Sequence, residues 1–565
     1  MKPNNTKFSF TPHGGGIRGA DSPRSSSTFE GRFGRIFREL PAAKHSKDDL
    51  LKLALLMTAP PEMDDKGKPA AALETADHIQ DDEENAGIPA GYTYFGQFID
   101  HDITFDPMSS LMQQNDPEGL VDFRTPRLDL DNMYGRGPAD QPYMYIDNKF
   151  RLGKALFANS KPTPSRDLPR YRDPENTGTS ARALIGDKRN DENVIVSQLH
   201  SAFLQLHNRL VDEDAFKDAT FEEIQRQVRW HYQYVVLNDF LPHICGKELI
   251  DEIMPFRLKH GSAADKKPKL QFFHYRNDPY IPLEFSVAAY RFGHSMVRPI
   301  YRLNTELKGG DNPDEATTEE KARGLEGRFF IFAGVNKRAL NGFGEFPDQW
   351  AIDWSLFFDI NGSGKKGGKE RAQPAYKIDT SLVNPLGFLP EFSVVKDLVP
   401  PLTVAQMQPA PVNAMADPAN LAARNLLRGL SMGMPSGQDI ARAMGLSVIP
   451  DNELRVGKAI VDELEKAPTL VSISPAFADN APLWYYVLAE AQHSWLKKAK
   501  HGGKGDEEPL ALGPMGGRIV AETLIGLIAG DPQSFLHQDP NWLPFVGGRD
   551  STVGKLVNYA LTGQK

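Results

Sequence analysis

The chain holds one cysteine, Cys245. No intrachain disulfide can form, and a lone cysteine of this kind reads as a small core residue rather than a nucleophile. Nowhere do about 18 apolar residues run together, so no membrane span is expected. The first residues, Met1-Lys2-Pro3-Asn4-Asn5-Thr6-Lys7, have no apolar stretch behind them, so no cleavable secretory signal is visible. With the absence of disulfides, this leans the expected location toward the cytoplasm or non-classical secretion. Excess basic charge is also missing: the formal net charge is -9, which disfavours nucleic acid. No 20–50-residue repeat recurs. The stretch His501-Gly502-Gly503-Lys504-Gly505 lacks Walker spacing and a preceding strand, so it reads as a surface loop and not a phosphate cradle. No strand–helix alternation is evident, and the expected fold is mainly α with little β structure.

What is present is ordinary for a globular protein: 565 residues, 40% hydrophobic and 25% charged. Residues 1–31, rich in Gly, Ser, Asn and Pro, read as an extended N-terminal arm. The run Asp81-Asp82-Glu83-Glu84 reads as a solvated face. Residues 137–180 read as a long irregular connection. Apolar periodicity predicts helices over 91–105, 194–212, 225–240, 285–297, 452–467, 481–499 and 518–529. Another is expected within 420–444, interrupted by a turn at 432–437.

The chain is organised around Gln97-Phe98-Ile99-Asp100-His101-Asp102. On a helix Gln97, Asp100 and His101 share a face at i, i+3 and i+4. Asp102 lies about 100° further round and needs another partner. Downstream, Thr125, Asp129 and Asp131 put oxygen side chains at alternate positions. With the carbonyl of Arg127 they suit a hard cation, and Asp102 could complete that shell; the same residues also suit an Asx-turn. Arg189 and Glu192 sit i, i+3 at the entry to an amphipathic helix carrying His200 and His207, read as core or supporting histidines. His294 follows the small residues Ala288, Ala289 and Gly293, which let a flat group approach; it serves equally as an iron ligand or a packed core histidine. Asn425 and Arg428 share a helix face.

Four motifs in order, Gln-x-x-Asp-His-Asp, Thr-x-x-x-Asp-x-Asp, Gly-Asp-x-Arg-x-x-Glu and Arg-x-Gly-His, resemble the animal-type haem peroxidases, the superfamily of myeloperoxidase, lactoperoxidase and the cyclooxygenases. The resemblance spans about 90–445; the helical part 446–565 looks like bacterial members. It implies one large haem-peroxidase domain of the myeloperoxidase type over 32–565. It also implies haem b and Ca2+ as cofactors, and hydrogen peroxide reduction with oxidation of halide, thiocyanate or small aromatic donors through a ferryl intermediate. By position, His101 resembles the distal histidine, Gln97 the distal glutamine, Arg189 the distal arginine and His294 the proximal iron ligand. Asn425 resembles the acceptor for the proximal histidine, and Arg291 and Arg428 the propionate partners. Asp102, Thr125, Arg127, Asp129 and Asp131 resemble the calcium ligands, Asp131 standing where mammalian enzymes usually carry serine. Asp100 and Glu192 match the carboxylates that form haem esters. Asn193 stands at the methionine of the sulfonium link, so that link is not expected, and the donors implied shift from chloride to bromide, iodide, thiocyanate or phenols.

Two other readings belong to this sequence. A fatty-acid dioxygenase of the same superfamily carries a tyrosine three residues before the proximal histidine; here Arg291 holds that position, and Tyr290 on an α-helix points about 100° away. A calcium-stabilised adhesion protein with a vestigial haem site is the other. A non-haem metal hydrolase using His101, Asp102 and His200 finds no recognised ligand spacing.

Overall fold

The computed structural model describes residues 31–58, 83–104, 121–122, 124–175, 181–258, 267–274, 279–309, 312, 314–322, 326–332, 339–387, 389, 420–502 and 508–565. The expected arm, the Val399-Pro400-Pro401 joint and most of the 501–505 stretch lie outside them.

Helices carry the architecture, and the strands are short. The largest sheet has three strands, Ile281–Pro282 beside Gly31–Gly34 beside Val121–Asp122. Phe33 pairs in parallel with Ile281, and Gly31 pairs antiparallel with Asp122. A second pair sets Pro374–Tyr376 antiparallel to Glu84–Pro89. The irregular 155–166 segment is a hairpin of Ala155–Ala158 and Lys161–Arg166.

At the centre is the helix Gly91–Ile103, most of whose residues are buried. Its first residue must be glycine: a Cβ there would lie 2.5 Å from the Phe357 carbonyl and from the Phe358 ring. Against it packs Val194–Asp212. Asn193 starts that helix by accepting from the N–H groups of Ile195 and Val196 at 3.1 and 2.9 Å, the capping role that asparagine fills well. Phe221–Val235 opens with a capping box of Thr220 and Glu223. The expected single helix over 225–240 instead widens into a π turn, Val236–Phe240, and continues as Leu241–Cys245. Pro242, which has no N–H to donate back into the preceding turn, directly follows the π turn. Pro514–Gly530, largely apolar, is buried nearly all round. Its N–H groups at Met515 and Gly516 donate to the buried Glu490 carboxylate at 3.0 Å. Cys245 is buried, and burial pushes its thiol up.

Three expectations change. Residues 452–467 hold only the short helix Val461–Leu464. Backbone groups there bond elsewhere: the Gly457 N–H donates to Thr380 Oγ1 at 2.9 Å and the Ala459 N–H to Asp379 Oδ2 at 2.7 Å. Glu84 is not on a solvated face. It is buried and paired with Arg298 and Arg371, two guanidinium groups that make burial of the carboxylate tolerable. Residues 285–297 are not α-helical: a π turn, Glu284–Ala288, runs into a 3-10 turn, Ala289–His294.

Candidate active site

The helix Gly91–Ile103, the turn at 188–193, the turns around His294 and the helix Leu421–Ser431 enclose one cavity of about 470 Å3. Gln97, Asp100, His101, Arg189 and Glu192 line it, as do Arg291, His294 and Arg428. Residues more than 300 positions apart in the chain, Gln97 and Arg428, thus share one space. Tyr290 lines it too, with its hydroxyl donating to the Gly96 carbonyl at 3.2 Å. The expectation that Tyr290 points away is corrected, because π and 3-10 turns do not advance 100° per residue as an α-helix does.

His101 is 5% exposed. Its Nδ1 lies 2.8 Å from Asn190 Oδ1. Burial first, and the Arg189 charge second, lower its pKa to about 3, so the ring is neutral at physiological pH. Arg189 is held by several acceptors. Its Nη2 donates to Asp187 Oδ2 at 2.8 Å, to the His101 carbonyl at 3.2 Å and to the Thr104 carbonyl. Asp187 also accepts from Arg124 at 2.6 Å. Its carboxyl falls well below the usual range: the two guanidinium groups outweigh the burial that alone would raise it. Gly186 makes this turn fit, since a Cβ would meet the Asn132 carbonyl at 2.6 Å.

Gln97 donates to Glu192 Oε1 and accepts from Asn193 Nδ2 at 3.3 Å. Asp100 opens onto the cavity with its carboxyl 4.0 Å from Arg189, and burial raises its pKa. Asn193, already a helix cap, offers no thioether.

On the other wall, His294 Nδ1 lies 2.7 Å from Asn425 Nδ2. The expectation that Asn425 accepts from His294 is corrected for this arrangement. Arg291 Nη1, which can only donate, takes Asn425 Oδ1 at 2.7 Å, and that turns the amide nitrogen toward the imidazole. Burial, then Arg291 and Arg424, lower the His294 pKa to about 3. Arg291 itself falls to about 10 through burial and through Arg428 and Arg424. Arg424 lines the cavity and was missed by the sequence reading. The signal was its i, i+4 spacing from Arg428 on an amphipathic helix. Asp187 and Asn190, inside the Gly-Asp-x-Arg motif, were also missed.

Behind His101 is a cluster of carboxylates. Carboxylate oxygens of Asp102, Asp129 and Asp131 all lie within 4.8 Å of one another. Asp102 is 0% exposed and neither oxygen has a hydrogen-bond partner. Burial, then repulsion from Asp129 and Asp131, raises its pKa well above the usual range. Thr125 Oγ1 donates to Asp129 Oδ2 at 2.8 Å. Arg127 is buried, with its guanidinium 3.2 Å from Asp531. Leu130 sits at φ 60°, a left-handed conformation that costs a leucine roughly 1–2 kcal/mol, and it sets the two flanking aspartates. Asp131 lies 3.2 Å from Arg124, so a guanidinium competes for its charge. A buried carboxylate beside two more suits a divalent cation. His200 and His207 do not pair on a metal: His207 meets Tyr134 and Asn148, and His200 meets Asn190.

The fold and cavity define a helical protein whose site faces two neutral imidazoles and several guanidinium groups. Comparison adds a likeness over part of the chain. The model for animal haem peroxidase matches residues 111–330. Thyroid peroxidase from Sus scrofa is 29% identical over 205 residues, covering 33% of this chain and 20% of that protein. A peroxidase-like protein from Margaritifera margaritifera is 34% identical over 123 residues, covering 20% and 14%. The chain thus spans about a fifth or less of the length of these relatives. Peroxidase A from Dictyostelium discoideum superposes with a TM-score of 0.48 at 14% identity, covering 87% of this chain and 91% of that one. Fatty acid alpha-dioxygenase from Oryza sativa superposes with a TM-score of 0.47 at 14% identity, covering 94% and 85%. The likeness to animal haem peroxidases is thus carried by residues 111–330 of this chain. The matched segment contains residues 125–131, Arg189, Glu192, Arg291 and His294; the helices carrying His101 and Asn425 lie outside it.

Proposed function

We propose that this chain is a haem peroxidase that reduces hydrogen peroxide and oxidises halide, thiocyanate or small aromatic donors. The observation that carries the reading is the single cavity lined by Gln97, His101 and Arg189 on one side and His294 on the other. The cavity fits the group: an imidazole can ligate iron, and Arg291, Arg424 and Arg428 offer charge for two porphyrin carboxylates. His294 would hold the iron. Iron at His294 Nε2 would need the ring proton on Nδ1, so Asn425 would fix the ligating ring with its amide oxygen, not its nitrogen, facing Nδ1. Asp100 and Glu192 would carry the ester links. Asp102, Thr125, Arg127, Asp129 and Asp131 would hold Ca2+. Haem, when bound, supplies the two-electron redox chemistry.

The chain's own residues move the protons. Neutral His101 takes a proton from the inner oxygen of peroxide and returns it to the outer oxygen, which leaves as water. This is general acid–base catalysis by a group already in its basic form. Arg189 places fixed positive charge where the leaving oxygen becomes negative. Asp187 and two backbone carbonyls hold that guanidinium before the reaction begins. Gln97 presents an amide beside the same space and orders water or an anionic donor there.

The test is reconstitution of the purified chain with haem, followed by peroxide-driven oxidation of iodide and of a phenolic dye. A Soret band with peroxide-dependent turnover is expected; a Soret band without turnover rejects the reading. Tyr290, now seen on the cavity wall, favours a fatty-acid dioxygenase as the second reading, which oxygen uptake on adding a fatty acid would identify.

A further inference from the structure

Asn190 is fully buried between two buried imidazoles. Its Oδ1 lies 2.8 Å from His101 Nδ1, and its Nδ2 lies 2.9 Å from His200 Nδ1. A primary amide has one accepting end and one donating end. Set between two ring nitrogens, it cannot serve both in the same way. The ring that meets the oxygen must carry its proton on Nδ1. The ring that meets the nitrogen must leave Nδ1 bare. The two histidines are therefore forced into opposite tautomers.

His101 is the ring that meets the oxygen. Its proton sits on Nδ1, and its Nε2 is left bare. His200 takes the opposite form, with its proton on Nε2. That nitrogen has no hydrogen-bond partner, so the cost of an unsatisfied donor falls on the ring remote from the cavity. Phe98 meets His200 edge-on at 5.9 Å and stacks on Phe203 at 4.9 Å, so neighbouring aromatic rings help to fix His200. Exposures of 0% for Asn190, 0% for His200 and 5% for His101 leave little water to shuffle the protons.

We propose that Asn190, backed by His200, is a positioning residue that fixes His101 in the tautomer able to accept a proton at Nε2. The inference rests on the reading of His101 as the proton acceptor. Without an acceptor at Nδ1, the alternative tautomer puts a proton on Nε2, and the ring cannot take the one that peroxide must give up.

Cyanide is the probe, because hydrogen cyanide must also surrender a proton to bind ferric haem. In the haem-loaded full chain, Asn190→Leu is expected to slow cyanide association about 100-fold, the scale of a lost general base, with the Soret band retained. Asn190→Asp, which restores an acceptor oxygen, is expected to recover to within about tenfold of the parent. Unchanged association in Asn190→Leu overturns the inference. If that variant does not fold, 15N-histidine spectra of the parent chain as its diamagnetic ferrous carbon monoxide complex decide, with His101 assigned through His101→Gln. A proton on Nδ1 supports the inference and a proton on Nε2 overturns it. His101→Leu separates the two readings. Fast association there rejects His101 itself as the acceptor, whereas slow association there with unchanged Asn190→Leu rejects only the role of Asn190.

Discussion

Chelating the calcium proposed for the Asp102 carboxylate cluster gives a prediction whose size can be worked out. Three carboxylates meet there within 4.8 Å, and Asp102 is wholly buried. At a free Ca2+ concentration of about 100 times Kd, binding stabilises the folded state by about 2.7 kcal/mol. An unfolding entropy of about 2.1 cal/mol/K per residue, over 565 residues, comes to about 1.2 kcal/mol/K. Chelation should therefore lower Tm by about 2 °C. The pH dependence has a definite sign. Burial and mutual repulsion hold Asp102 and Asp131 above the usual carboxylate range in the folded state. As pH rises past about 4 the unfolded chain ionises these groups freely, while the cation-free fold resists doing so. The cation-free fold thus loses stability toward neutral pH, and the calcium increment should be larger at pH 8 than at pH 5. Scanning calorimetry in CaCl2, MgCl2 and EGTA measures this. Asp102→Asn should abolish the increment while leaving the EGTA form at least as stable as the parent, because one of three repelling charges is gone. An increment that survives in Asp102→Asn, or identical Tm values in CaCl2 and EGTA, refutes the reasoning.

Arg189→Leu should keep haem while slowing the stopped-flow reaction with peroxide by about 100–1000-fold, the scale of one lost oxyanion donor; an unchanged rate removes Arg189 from the mechanism. After turnover with peroxide, acid–acetone should fail to extract haem from the parent chain, and should extract it from Asp100→Asn/Glu192→Gln; free extraction from the parent means that neither ester forms.

The sequence made legible those parts of the site whose geometry is local. Gln97, Asp100 and His101 at helical spacing do share the cavity face, and Asp102 does turn away to meet Asp129 and Asp131. The helix over 194–212 follows from its apolar spacing and the end of Leu421–Ser431 from the turn residues at 432–437, whereas the helix Gly437–Ala443 beyond that turn was not expected. What periodicity could not show is where a distant partner arrives. Asp187 reads as a motif filler until Arg124, more than 60 residues earlier, meets it at 2.6 Å. Asn425 reads as an acceptor until Arg291 takes its oxygen. Tyr290 was assigned the wrong direction because the segment before His294 winds as π and 3-10 turns, for which side-chain spacing gives no cue. Residues 452–467 carry a helical apolar pattern, yet Asp379 and Thr380 capture their N–H groups.

The central claim is that His294 holds the iron of one haem in the cavity it shares with His101. Titration of the purified chain with haem, followed by the Soret band, tests it most directly. The parent should bind one equivalent and His294→Ala should retain none stably through gel filtration, whereas a full Soret band in His294→Ala at the same stoichiometry would contradict the assignment.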